Sequence, residues 1–142
     1  ALDRERGDTW GVVADHVNIA AALLEDGRPA EALRTLRDVT DDSRRLSDPD
    51  LSVALIEIFA VTFAALDDAT RAARLLGAAT AMRERLELPI DPPDAALLEK
   101  GIAPARDRGD AARWAADVSA GRSLGVDEAL AEAVREPLTA PR

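Results

Sequence analysis

Apolar residues recur at i, i+3, i+4 and i+7 along most of the chain, and glycine, proline and aspartate interrupt them. Trp10, Val13, Val17, Ala20 and Leu24 share one helical face, with His16, Ile19 and Leu23 beside it, which predicts a first helix over residues 8–26. Gly27 supplies the left-handed residue that ends a helix. Pro29 suits the first turn of the next, where its missing N–H would find no partner anyway. The second helix carries Ala32, Leu33, Leu36 and Val39 and frays near Leu46. Ser47-Asp48-Pro49-Asp50 then breaks the pattern with capping side chains, and a strongly apolar third helix follows over residues 51–66. Asp67-Asp68 makes a turn and caps a fourth helix reaching Leu86. Pro89, Pro92 and Pro93 predict a stiff, extended loop over residues 88–94. Three further helices fit residues 94–108, 110–121 and 126–136. Pro104 is expected to kink or shorten the first of these, and residues 139–142 to form a frayed tail.

Sliding the sequence against itself by forty residues aligns the first two helix pairs. Ile19 meets Phe59, Ala20 meets Ala60, Leu23 meets Phe63, Gly27 meets Asp67, Ala32 meets Ala72 and Leu36 meets Leu76. A small residue recurs where helices must touch, flanked by larger apolar ones, as in arrays whose units bury their faces only against neighbours. The expectation is an all-α fold of about seven helices in tandem antiparallel hairpins, forming one domain. Residues 1–46 make a first repeat, 47–87 a second, 88–94 the proline-rich loop, 95–136 capping helices and 137–142 a tail.

The skeleton Asn18-Ile19-Ala20, Leu23, Gly27 and Ala30-Glu31-Ala32-Leu33 resembles the tetratricopeptide repeat, although the period is forty rather than thirty-four and the closing proline is missing. A longer stretch, Arg71-Ala72-Ala73-Arg74-Leu75-Leu76-Gly77-Ala78-Ala79 with Met82-Arg83-Glu84, resembles one in bacterial signal-transducing ATPases with numerous domains (STAND), including LuxR-type transcription factors. The proline loop and the residues Trp114, Gly121–Leu124 and Asp127–Leu130 continue that resemblance across most of residues 68–136. It implies the C-terminal sensor or scaffold of a cytoplasmic regulator, whose ATPase and DNA-binding parts would lie elsewhere. The start at Ala1-Leu2-Asp3, without an initiator Met, suits a piece of a longer protein.

Composition narrows the partners. The 142 residues are 47% hydrophobic but only 3% aromatic, with no cysteine and a formal net charge of −9. Disulfides and thiolate metal sites are therefore excluded. The acidic balance opposes direct nucleic-acid contact and anionic membrane surfaces. No apolar run approaches the roughly 20 residues that a bilayer needs. Phosphate-binding glycine loops and a nucleophile elbow are also missing, so neither a cofactor nor catalysis is expected.

His16, the only histidine, is read as a packed side chain in preference to a pH-sensitive contact. The pairs Asp41-Asp42 and Asp67-Asp68, and Asp91 with Asp94, are read as helix-end caps in preference to metal or acid–base carboxylates. The last two helices outline a helix-turn-helix, but Asp127, Glu128, Glu132 and Glu136 would repel phosphates. Repeat geometry predicts a concave groove lined by Ala14, Val17, Ala21 and Leu24 of the first helix and Ala54, Glu57, Val61 and Ala64 of the third. Either it takes a protein or peptide partner, or it is filled by residues 94–108 or by another part of the parent chain. Two alternatives stand beside it: a small-molecule effector pocket between the helix pairs and the proline loop, and homodimerisation.

Overall fold

A computed structural model of the chain describes residues 2–135, with side chains from Arg4 onward. Seven α-helices and no strands make up the described residues: α1 (Leu2–Glu25), α2 (Pro29–Leu46), α3 (Pro49–Ala65), α4 (Ala69–Leu86), α5 (Pro92–Arg108), α6 (Ala111–Gly121) and α7 (Val126–Val134). The first helix starts six residues earlier than predicted, because nothing in residues 2–7 breaks a helix that the following turns have already nucleated. Pro92 and Pro93 open α5 instead of closing the loop, since proline is tolerated in a first turn. Helix α5 also runs through Pro104 to Arg108 and is not cut short. The end of the predicted seventh helix at Glu136 and the tail at residues 139–142 lie outside the described residues.

Backbone conformation repeats along the first four helices. Among the described residues those with positive φ are Gly27 (73°), Ser47 (52°), Asp67 (63°) and Glu87 (53°), spaced by twenty, and each stops a helix. Helices α1 and α3 end at Glu25 and Ala65, forty residues apart, and α2 and α4 begin and end at a forty-residue offset. The turns after α1 and α3 share their closing bond. The N–H of Arg28 donates to the Leu23 carbonyl at 2.9 Å, and that of Asp68 to the Phe63 carbonyl at 2.9 Å. Asp48 caps α3 by accepting from the Leu51 N–H, Asp68 caps α4 through the Arg71 N–H, and Asp110 caps α6 through the Ala112 and Arg113 N–H groups.

Helix α1 packs against α2 and α3 against α4, while α3 also lies on α1, α2 and α5. The core follows the shared register. Val13 and Val53, Ala20 and Ala60, and Ala32 and Ala72 are all fully buried. The last helices depart from it, because α6 leaves α5 and lies along α4, and α7 tucks against α2, α3 and α4. Ala129, Leu130 and Ala133 complete the main cluster from α7. No helix among the described residues is long and apolar enough to cross a membrane.

Candidate protein-binding surface

The eight groove residues form four pairs in the forty-residue register: Ala14 with Ala54, Val17 with Glu57, Ala21 with Val61, and Leu24 with Ala64. Their exposure differs by helix. Ala14, Val17, Ala21 and Leu24 on α1 are all half-buried. On α3, Glu57 and Ala64 are buried, and Ala54 and Val61 half-buried. Helix α5 explains the difference. A Cβ built at Gly101 would lie 2.5 Å from Val61 Cγ1, so the glycine lets α5 press directly on Val61. Over α3 the predicted groove is thus roofed by residues 92–108, one of the two fates foreseen for it. Over α1, Val17 and Leu24 pack against the main core cluster and Ala14 against the second, which leaves Ala21 half-buried outside both.

Glu57 is ion-paired with Arg83. Arg83 grips it bidentately, Nε donating to Oε2 and Nη2 to Oε1, both at 2.7 Å. The remaining amine, Nη1, donates to the Pro89 carbonyl at 3.0 Å and the Leu88 carbonyl at 3.3 Å. Donating to Glu57 holds the pKa of the Arg83 guanidinium above its ordinary value against the opposing effect of burial. The pair therefore ties the proline-bearing loop to α3. It also floors a cleft of about 270 Å³ walled by Leu76, Ile90, Leu98 and Ile102. Both oxygens of Glu57 and three nitrogens of Arg83 are already engaged, so the cleft offers an incoming ligand mostly apolar wall.

The two motif stretches meet in space, which their separation in sequence could not reveal. Gly77 of α4 and Gly121 of α6 let the backbones cross in direct contact. A Cβ on Gly77 would sit 2.0 Å from the Val118 carbonyl oxygen, and one on Gly121 would sit 1.8 Å from that of Arg74. Around this crossing Arg74 Nε donates to Glu132 at 2.7 Å and Arg122 pairs with Glu84. Arg71, only 5% exposed, stacks over the Phe63 ring at 4.5 Å and donates to the Arg135 carbonyl at 2.8 Å. Burial pushes its pKa down from the usual arginine value.

His16 is half-buried and lies outside the core clusters, its Nδ1 2.8 Å from the Val12 carbonyl oxygen. Asp41 and Asp42 are not at a helix end as predicted. They sit inside α2, which continues to Leu46, and Asp42 pairs with Arg45 one turn on. Asp68 is a cap, Asp91 occupies the N-cap of α5 without a side-chain bond, and Asp94 lies in that helix's first turn. Asp127 and Glu128 of α7 are exposed, whereas Glu132 is engaged by Arg74.

Sequence periodicity gave no sign of which apolar positions on α1 stay uncovered. Val12 is 45% exposed and Ile19 50%. Trp10 is also exposed, with its Nε1 donating to Asp48 at 3.2 Å. Comparison with family models, with curated proteins and with solved structures returned no match.

Proposed function

We propose that the chain is a tetratricopeptide-like tandem of antiparallel hairpins that binds protein surfaces without catalysing a reaction. In this reading it is the C-terminal, signal-sensing part of a larger cytoplasmic bacterial regulator of the ATPase type. The observation that carries the reading is the forty-residue correspondence of helix ends, left-handed caps and buried positions in α1–α4. Units of that kind bury their apolar faces against one another and leave side surfaces for partners. The regulator assignment rests on the resemblance of residues 68–136, and the meeting of its two stretches at Gly77 and Gly121 gives that resemblance a structural reason. The buried charges support a non-catalytic role, because Glu57, Arg83 and Arg71 are committed to holding elements together.

Binding would use the α1 half of the concave face, with apolar burial contributing about 25 cal/mol per Å² before ordering costs. Ala21 is the residue to test, because it is half-buried yet belongs to neither core cluster. Affinity capture from the source cells, read by mass spectrometry, should yield a protein held by the parent chain and lost with Ala21→Glu at unchanged helical circular dichroism. Identical capture by both chains would discard this surface.

A second reading is favoured by the cleft beside the proline loop, namely a small-molecule effector site. Thermal shift against a metabolite library separates the two. A reproducible rise with one compound class, abolished by Leu98→Arg in the cleft wall, supports the effector reading.

A further inference from the structure

The forty-residue register allows each face of α1 to be compared with the same face of α3. Val12, His16, Ile19 and Leu23 lie one above another along α1 at helical spacing. Their counterparts on α3 are Ser52, Ile56, Phe59 and Phe63, and all four are at most 2% exposed. Helix α3 packs against α4 and α5 as α1 packs against α2 and α3, and it also has α2 and α7 beside it, with Ala32 and Leu36 of α2 in the same cluster as Ile56, Phe59 and Phe63, and Arg71 of α4 over the Phe63 ring. Among the described residues α1 has only α2 and α3 beside it: Val12 and Ile19 are half in solvent, His16 is half-buried, and Leu23 packs only at the edge of the main cluster.

The free edge of this stripe is acidic. Asp8 and Asp15 fall beside it on the helix, with Arg4 one turn before Asp8, and Asp26 follows in the turn after α1, 3.9 Å from Arg28; all three aspartates are exposed. That charge pattern selects among occupants. Two copies meeting stripe to stripe would bring their aspartates together, which is unfavourable. The helix that fits best by design, α2, is already buried in its own chain.

We propose that the outer face of α1 docks an amphipathic helix of a partner protein, built like α2 in its apolar spacing but flanked by lysine or arginine. It would lie against Val12, Ile19 and Leu23 as α2 lies beside α3, its basic edge facing Asp8, Asp15 and Asp26. This site is separate from the concave face and does not rest on it.

Two labelled peptides covering residues 28–47 test the proposal by fluorescence anisotropy. One carries Asp38→Lys, Asp41→Lys and Asp42→Lys, the other Arg34→Glu, Arg37→Glu, Arg44→Glu and Arg45→Glu. The lysine peptide should bind the full chain at least tenfold more tightly than the glutamate peptide, and more weakly as salt rises. Ile19→Asp should reduce that binding at least tenfold, while Leu97→Asp, at another exposed apolar position on α5, leaves it unchanged. Both variants change exposed side chains, and unaltered melting curves verify that they fold. Equal binding of the two peptides, binding by neither, or equal loss in both variants overturns the proposal. Sedimentation of the chain as a dimer that Ile19→Asp dissociates would also overturn it, since a second copy would then be the occupant.

Discussion

Arg83 joins three elements through one guanidinium: its own helix α4, Glu57 on α3, and the carbonyls that lead into α5. With side chains only 17% and 12% exposed, neither member of the pair can be removed without stranding the other. Arg83→Ala should therefore lower unfolding stability by about 3 kcal/mol, whereas Arg83→Met with Glu57→Leu should restore most of it. Urea denaturation of the single and double variants distinguishes a structural pair from a dispensable one. Left-handed residues give a second contrast. Gly27→Ala should cost about 1 kcal/mol by placing a Cβ at φ 73°, and Asp67→Gly at the equivalent position should gain about 0.5 kcal/mol. The exposed Arg108–Asp67 pair lost in the second variant contributes little. The equivalence of Gly27 and Asp67 was legible in the sequence because both interrupt an apolar period. The Glu57–Arg83 pair was not, since no local spacing links residues on separate helices.

Among the elements, α4 and α6 meet backbone to backbone, and that contact depends on two glycines. Gly77→Ala or Gly121→Ala should destabilise the protein by about 3 kcal/mol or more, because the obstructing atoms are backbone and cannot move aside. Gly11→Ala should do the opposite. It lies inside α1 with open space around its Cβ position, so alanine should add about 1 kcal/mol by helix propensity alone. Thermal melts of the three variants test the contrast directly. The C-terminal end of α6 is linked to α4 by Arg122, which holds the Glu84 carboxyl below its ordinary value. A carboxyl depressed in the folded state stabilises fully above its unfolded pKa and less as pH falls through the folded one. Melting temperature should therefore fall as pH drops below about 4.5, and Glu84→Gln should flatten that decline. Helix existence was readable from the 3.6-residue period. The misplacement of Asp41 and Asp42 shows its limit, because acidic residues serve a helix surface as readily as its end.

At the scale of the molecule, two pairs in a common register are followed by three helices that abandon it. Helix α6 chooses α4 over α5, and α7 fills the space against α2, α3 and α4. Sequence periodicity marks a face as apolar but does not say what covers it. The stripe on α1 and its buried counterpart on α3 read alike until the neighbours are known. The concave groove shows the same limit, since its α3 half lies beneath α5 through a glycine that the helical period passes over unmarked. Both surfaces rest on α1–α4 being one unit used twice. Backbone chemical shifts and scalar couplings from solution NMR read that directly. Left-handed φ should occur at residues 27, 47, 67 and 87, with helical values filling the intervals between their turns. A helix continuing through residue 47 or 67, or boundaries unrelated by forty residues, would contradict it.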